Sequence, residues 1–546
     1  MNFTHITHNR KSIYLAFLIP IIFRLIMGTQ GVDSTDVGFC NTFYQAIFNA
    51  PDTNEFNFIY YLTGLLGGSW ELLFGNFGLI GFRIFETLTL SAAVYFLYLI
   101  YKERMSKGNS VAAIFLSMLF PVIIVTFHYD TLSYLLIAIS AFMYSKYLQN
   151  FSYKWLFFAG LMIGFSFFAR IVNLSFSILA LLPLLVTIHT KQQRLKACGS
   201  MLCGIGGGIL IIAIIMLSCG HFDNYMAGLN DAFSTLDRSD ATHSKGEMII
   251  RYLKSLKNVL LQILILTSIT FCLFKNDKQK YKCKIYIKYL LYVIIFIMAL
   301  TSTVYLTTLS CALIIILSES YKQRHIQGTE LHITLFLLIA TLCFPMGSDI
   351  GLQGIFNWCA GLLIFPAVYY SKYIKKAIFS ESCKAAYISC AICAICKISY
   401  KAYNESEPRI HCFTTIQPSR LNTMTDKTKA KKYQKAITAI KEYSIEEQHL
   451  LLTTQASELY YATKKMPYLG HVQTIIYQGK RLELRLEERL AHFGTLPLIA
   501  TLNIQKEPHE LANEKILRTW MNKHHYKQVY KDNYITLYNN ESKSGY

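Results

Sequence analysis

Charged residues are scarce in this sequence of 546 residues: they make up 16% of it, whereas hydrophobic residues make up 53%. This composition, arranged in long apolar runs, excludes a water-soluble globular protein and indicates a chain that crosses a membrane many times. The formal net charge of +20 does not indicate nucleic-acid binding, because the positive residues lie in short loops between apolar runs.

Several common signals are also missing. Of the 14 cysteines, Cys390, Cys393 and Cys396 lie three residues apart, but they stand inside an apolar run, which indicates small hydrophobic residues rather than a metal site. No Gly-rich phosphate loop follows a predicted strand, so nucleotide binding is not supported. Arg24 interrupts the first apolar run and no small-residue cleavage site follows it, which predicts a retained first helix rather than a cleaved signal peptide.

The apolar runs predict about thirteen membrane-spanning helices, if a span takes about 17–25 residues. Lys and Arg crowd one set of connecting loops, at 102–107, 191–196, 275–288, 322–324 and 372–376. The alternate connections at 127–130 and 345–357 carry none. Because positive residues favour the cytosolic face, we expect a multi-pass integral membrane protein of the cytoplasmic (inner) membrane with its N-terminus in the cytosol and its C-terminus outside.

The predicted fold is therefore a polytopic α-helical membrane protein with a small soluble α/β domain at its C-terminus. Residues 1–403 form the transmembrane domain, with outer loops at 28–78 and 221–254, and residues 404–546 form the extracytoplasmic domain. In that domain, hydrophobic periodicity predicts helices at 427–443, 480–491 and 508–523 and strands at 448–453, 495–502 and 530–538.

The first outer loop carries Asp33 and Asp36 directly after the apolar run Ile13–Met27. Carboxylates at the mouth of a membrane helix are costly unless they have a function. One interpretation is a solvated loop start or a helix N-cap; the other is a general base or a metal ligand. We expect Asp36 to face inward at the start of an amphipathic helix, and Asp33 to lie nearer the water. The aromatic segments 43–48 and 56–74 predict helices that lie in the membrane interface.

Other polar residues of the outer face are candidates for binding. His128 and Asp130 could cap the following helix or offer nitrogen and oxygen ligands to a divalent cation. Arg170 and Asn173 lie between two apolar spans, where an arginine can also extend to the interface. A positive cluster in the second outer loop suits a lipid phosphate. The candidate substrate ligands are Asp33, Arg170, Asn173, His243, Lys245, Arg251 and Asp349.

Arg24, Arg83 and Glu86 lie within or beside apolar spans. Isolated charges are unfavourable there, so we expect these residues to pair with one another.

This arrangement resembles the GT-C superfamily of polyprenyl-linked glycosyltransferases, which includes protein O-mannosyltransferases and aminoarabinose-lipid A transferases. The resemblance lies in Asp36-Val37-Gly38-Phe39 after the first span, the helices in that loop, a second long outer loop and an outer C-terminal domain. The family motif is usually Asp-Glu or a single Asp before an aromatic-rich helix, and here Val37 replaces the Glu. The second acidic pair of oligosaccharyltransferases corresponds in part to His128-Tyr129-Asp130. The resemblance covers roughly residues 1–400.

The resemblance implies an enzyme of the cell envelope. It would transfer a sugar from a polyprenyl-phosphate donor to a lipid, glycan or protein acceptor on the extracytoplasmic side, with inversion and with Asp36 as general base. It implies no nucleic-acid partner and no required cofactor, with a divalent metal at His128 and Asp130 left open. The alternatives are a transporter or flippase, a polymerase or ligase for lipid-linked glycans, and a non-enzymatic assembly protein.

Overall fold

The structure is a computed structural model that describes most of the chain. It covers residues 10–540 except 122–123, 125, 187–188, 237–244, 276–327, 349, 372–390, 418, 446, 478 and 504–507. The apolar segment 289–317 lies outside the described residues, as do His243 and Asp349.

The N-terminal part is helical, as expected of apolar segments that satisfy their own backbone hydrogen bonds. Its helices begin with α1 (Arg10–Met27), α2 (Asp36–Ala46), α3 (Tyr61–Phe74), α4 (Gly78–Tyr101), α5 (Lys107–Leu119), α6 (Tyr129–Asn150), α7 (Tyr153–Ala169), α8 (Lys191–Ser218), α9 (Phe222–Leu236) and α10 (Lys245–Lys275). The 3₁₀ helices Pro51–Tyr60, Gly75–Phe77 and Ile171–Leu185 lie between them. Later helices are Gly328–Cys343, Gly354–Trp358, Gly361–Ser371 and Ala391–Tyr400.

Three helical stretches among the described residues are long and apolar enough to cross a membrane, judged by length and composition: Pro51–Tyr101, Tyr129–Asn150 and Lys191–Ser218. The protein is thus an α-helical membrane protein, while its total number of spans and its orientation stay predictions. The predicted outer loop 221–254 contains α9 and the start of α10, and its place outside the membrane stays a prediction. Apolar residues at helical spacing in α9, such as Tyr225 and Leu229, pack on the core and explain the helix.

Glycines let α7 and α8 pack with their backbones in contact. A Cβ atom added to Gly160 would lie 2.0 Å from the Met201 carbonyl oxygen, and one added to Gly204 would lie 2.0 Å from the Phe157 carbonyl oxygen. Small residues four apart on facing helices are the usual means of close packing in membranes.

Two buried charges of the helical part, Arg24 and Glu86, form a pair, as the sequence predicts. The Arg24 guanidinium lies 3.0 Å from the Glu86 carboxylate, and both side chains are buried. Arg83 instead donates to backbone carbonyl oxygens, that of Gly28 at 2.6 Å and that of Gly31 at 2.7 Å. Arg83 therefore fixes the segment that leads from α1 to the acidic residues Asp33 and Asp36 of the first outer loop.

The C-terminal part contains a four-stranded mixed sheet flanked by helices. Its strands, preceded by the short pair β1 (Thr414–Thr415) and β2 (Met424–Thr425), are β3 (Leu450–Leu452), β4 (Leu498–Leu502), β5 (Tyr526–Lys531) and β6 (Ile535–Asn540). The sheet order is β3-β4-β6-β5, with β3 and β4 parallel and the other neighbours antiparallel. The helices are Lys427–Tyr443, Glu458–Thr463, Lys480–Phe493 and Pro508–Lys523.

Two predicted C-terminal helices, 427–443 and 508–523, are confirmed with the same bounds. The single strand predicted at 530–538 is wrong, because the chain turns back at Asp532. Its carboxylate accepts hydrogen bonds from the N–H groups of Tyr534 at 2.7 Å and Ile535 at 2.8 Å, which closes a hairpin between β5 and β6.

One apolar core joins the C-terminal part to the first loop. Val37 and Phe43 of α2 belong to the same buried cluster as Ile437, Leu459 and Leu498. The C-terminal part therefore packs directly on the acidic loop, and a domain boundary at residue 404 stays a prediction.

Candidate active site

Asp33 caps helix α2. Its carboxylate accepts hydrogen bonds from the Thr35 hydroxyl at 2.9 Å, from the backbone N–H groups of Asp36 and Val37, and from the Asn404 side-chain amide. Asp33 is only 2% exposed. The expectation that Asp33 lies nearer the water is therefore wrong: the N–H groups left unpaired at a helix start bind the nearest carboxylate, which here is Asp33.

Asp36 is the first residue of α2. It is exposed, so the sequence prediction that it faces inward is wrong. The reason is that α2 turns its next residues, among them Val37, Gly38 and Cys40, into the protein. The Asp36 carboxylate lies within electrostatic reach of Tyr129 and of Cys40. Burial raises the pKa of the Cys40 thiol, and the negative charge of Asp36 raises it further. Asp36 thus places a negative charge at the surface where the acidic loop approaches α6.

Asp130 and Arg170 form a buried ion pair beside that surface. The Arg170 guanidinium lies 3.1 Å from the Asp130 carboxylate and also donates to the carbonyl oxygens of Phe344 and Met346, each at 3.0 Å. Exposed fractions are 2% for Asp130 and 6% for Arg170. Arg170 therefore ties α6 to the end of the helix Gly328–Cys343, and its guanidinium is engaged by the protein itself.

Aromatic rings line the same region. The ring of Tyr60 stacks on that of Tyr129 with centroids 4.2 Å apart and planes 16° apart, and the Arg170 guanidinium lies 5.8 Å from the Tyr129 ring centroid. The His128 ring contacts Trp358 with centroids 6.2 Å apart. The first loop and α6 thus meet at one point, which is surrounded by Asp36, Tyr60, Tyr129 and Arg170.

His128 and Asp130 do not fit a metal site. The His128 Nε2 atom lies 4.0 Å from the Asp130 carboxylate, whose other oxygen binds Arg170. Within the part of the chain that the structure describes, no group of three His, Cys, Asp or Glu side chains could hold a metal ion. Because Arg170 already pairs with the Asp130 carboxylate, His128 and Asp130 leave little negative charge for a divalent cation.

The remaining sequence candidates are Asn173, Lys245 and Arg251, whereas His243 and Asp349 lie outside the described residues. Asn173 is buried and donates to the Ser133 hydroxyl at 2.7 Å and to the Ser166 carbonyl oxygen at 2.9 Å. It therefore joins α6 to α7. Arg251 forms an ion pair at 2.7 Å with Glu247 on its own helix. Lys245 begins that helix, α10.

Residues that sequence reasoning missed are Tyr60 and Tyr129, which stack, and Asn404, which binds Asp33. No local pattern could reveal the role of Asn404, because it is 371 positions from its partner. A Tyr between two candidate ligands, His128 and Asp130, was the one available signal.

Residues 66–218 match a family model described as dolichyl-phosphate-mannose-protein mannosyltransferase. The predicted resemblance to lipid-linked glycosyltransferases is confirmed. The matched segment includes Asp130 and Arg170 but not Asp36, and it covers less than a third of the chain. Curated proteins give no match to this sequence.

Two solved structures are similar over most of the chain. ArnT from Cupriavidus metallidurans, bound to undecaprenyl phosphate, is 10% identical, with a TM-score of 0.45 over 97% of this chain and 98% of that one. The oligosaccharyltransferase of Archaeoglobus fulgidus, in complex with Zn and sulfate, is 10% identical, with a TM-score of 0.45 over 89% of this chain and 68% of that one. Similarity at this level assigns no role to any residue here.

Proposed function

We propose that this membrane protein is a glycosyltransferase that moves a sugar from a polyprenyl-phosphate donor to an acceptor hydroxyl outside the cytosol. The family match over residues 66–218 supports the reaction class. The observation that carries the proposal is the Asp36 carboxylate, which begins α2 directly after the first apolar helix and lies within electrostatic reach of Tyr129 in the matched segment.

Asp36 is the better base of the two acidic residues. Asp33 accepts hydrogen bonds from the start of α2 and from Asn404. Its carboxylate oxygens are therefore occupied by contacts within the protein. Asp36 is exposed and can meet a hydroxyl group brought by an acceptor.

The chemistry needs one proton acceptor and one stabilised leaving group. Asp36 takes the proton of the acceptor hydroxyl while the oxygen of that hydroxyl attacks the anomeric carbon. The bond from that carbon to the phosphate oxygen breaks, the phosphate leaves with the electron pair, and the attack from the opposite face inverts the carbon. Cationic side chains stabilise the growing phosphate charge, for which Lys245 and Arg251 are the proposed residues. A donor whose tail stays in the bilayer suits a site at the end of apolar helices.

The extracytoplasmic side is proposed from two observations. Lys and Arg crowd the loops that alternate with the first outer loop. The C-terminal part also contacts the first loop directly, as the Asn404–Asp33 hydrogen bond illustrates, so both must lie on one side of the membrane.

Substitution of the two acidic residues tests the proposal. We expect Asp36→Asn to lower the transfer rate by about 10²–10⁴-fold with normal donor binding, the usual loss for a general base. Asp33→Asn is the matched control and should stay largely active, because Asn also caps helices well. The measurement is transfer of labelled sugar from polyprenyl-phosphate mannose and polyprenyl-phosphate aminoarabinose in membranes of the source cells, which supply the acceptor.

Reversed losses in the two variants would move the base to Asp33. Full activity in both, with the protein present in the membrane, would show that neither residue is the base. Transfer that is equal in membranes with and without the protein would remove the glycosyltransferase proposal.

A further inference from the structure

The backbone that leads to Asp36 is held by the C-terminal part, one residue after another. The Met424 N–H donates to the Thr29 carbonyl oxygen at 2.9 Å, and the Gly31 N–H donates to the Met424 carbonyl oxygen at 2.8 Å. Gln30 and Met424 form a parallel β-bridge. Strand β2 thereby extends onto the loop just before its acidic residues.

Side chains continue these contacts up to the start of α2. The Glu405 carboxylate accepts the Val32 N–H at 2.6 Å, and the Lys429 ammonium donates to the Val32 carbonyl oxygen at 2.6 Å. The Ser457 hydroxyl lies 3.1 Å from the Ser34 carbonyl oxygen and 2.9 Å from that of Thr35. Both Glu405 and Ser457 are buried.

The first turn of α2 also packs directly against the C-terminal part and cannot move closer to it. A Cβ atom added to Gly38 would lie 2.0 Å from the Ser457 carbonyl carbon. Helix α2 and the start of helix Glu458–Thr463 therefore touch through their backbones, two residues beyond Asp36.

A second set of contacts holds the segment that carries Tyr60. Glu55, in the same 3₁₀ helix, binds the guanidinium groups of both Arg485 and Arg489 from helix Lys480–Phe493. Asp231 of α9 binds Arg481 of that helix at 2.6 Å. The C-terminal part thus contacts both segments that meet at the candidate active site.

We propose that the C-terminal part sets the position of the catalytic base, and that Ser457 and Glu405 are positioning residues for Asp36. Neither touches the reacting atoms; each fixes a peptide group of Val32–Thr35 and so the direction in which α2 begins. This inference rests on the proposed function of Asp36. A displacement of about 1 Å at a reacting group can cost about 10²-fold in rate, so loosening this turn should act on the chemical step.

The test removes one hydroxyl from the full-length protein. We expect Ser457→Ala to lower kcat by about 10–10²-fold with an unchanged KM for polyprenyl-phosphate mannose. It should also speed hydrogen exchange of the amides of residues 32–37. Thr463→Val is the matched control, because the buried Thr463 hydroxyl binds the Leu459 carbonyl oxygen within the same short helix. It should change neither kcat nor that exchange.

A second pair covers the case in which Ser457→Ala fails to fold. Glu405→Gln keeps an acceptor for the Val32 N–H and should stay active, whereas Glu405→Ala should lose kcat at an equal donor KM. Equal kcat in these two variants, or full kcat in a folded Ser457→Ala, would overturn the positioning role. If Asp36→Asn is inactive in the same assay, the proposed function survives that result; if Asp36→Asn is active, Asp36 is not the base and the positioning proposal falls with it.

Discussion

The Arg170 guanidinium binds the Asp130 carboxylate at 3.1 Å inside the protein, and it binds two backbone carbonyl oxygens as well. The sequence predicts both residues as ligands, of substrate and of metal. Their mutual contact joins α6 to the end of α7 next to Tyr129, because a buried charge is stable only when its partners are provided. The predicted ligand roles stay predictions.

Breaking this pair should reduce stability. We expect Arg170→Gln to lower the free energy of unfolding by about 3–5 kcal/mol, since it leaves Asp130 buried without its countercharge. The double variant with Asp130→Asn should lose less than the sum of the single variants. Thermal unfolding in detergent measures this, with Arg518→Gln, from an exposed pair with Glu514, as a control that changes by less than about 1 kcal/mol. Normal stability of Arg170→Gln combined with weaker donor binding would return Arg170 to the substrate site.

Helix packing gives a prediction with a control in the same helix. Gly204→Ala should destabilise the protein by about 1–3 kcal/mol, because its methyl group would meet the Phe157 carbonyl oxygen. Gly206→Ala has open space around its Cβ position and should be neutral or stabilising by up to about 1 kcal/mol, as Ala favours a helix more than Gly does. Melting temperatures in one detergent compare the two. Equal temperatures would mean that α7 and α8 are not in backbone contact.

The buried Glu458 gives a pH dependence. Burial raises the pKa of its carboxyl group from 4.5 to about 8, where it contacts the Tyr433 hydroxyl. Between these values the folded protein keeps a proton that the unfolded chain has lost, so stability falls as pH rises from about 4.5 to about 8.

The variant Glu458→Gln cannot ionise and should remove this part of the pH dependence. We expect the wild type to lose stability relative to Glu458→Gln as pH rises, by about 1.4 kcal/mol for each pH unit within the window. Comparing the two proteins in the same series of buffers cancels other titrating groups, such as His471, whose pKa burial lowers to about 4. Parallel curves would show that Glu458 ionises normally.

Lys245 and Arg251 are the proposed ligands of the donor phosphate. Changing Lys245 and Arg251 together to Gln should lower kcat/KM for polyprenyl-phosphate mannose by about 10-fold or more, if charge-assisted hydrogen bonds to the phosphate are lost. Lys257→Gln, an exposed cation on the same helix, is the control. Donor kinetics unchanged in the double variant would leave the two cations to lipid headgroups.

Local features of the chain could be predicted from the sequence alone. Runs of apolar residues determined the helices of the membrane part, because a helix satisfies its own backbone in lipid. Periodicity likewise determined helices 427–443 and 508–523. The pairing of Arg24 with Glu86 followed from the cost of an isolated charge between apolar segments.

Only the tertiary structure decided which acidic residue is buried. In the sequence, Asp33 and Asp36 differ little, since both follow the same apolar helix. Asn404 binds Asp33 from 371 positions away, and Ser457 binds the carbonyl oxygens of Ser34 and Thr35 from more than 420 positions away. Hydrophobic patterns report how each segment meets its surroundings, but hydrogen bonds between such distant residues exist only once the C-terminal part packs on the loop.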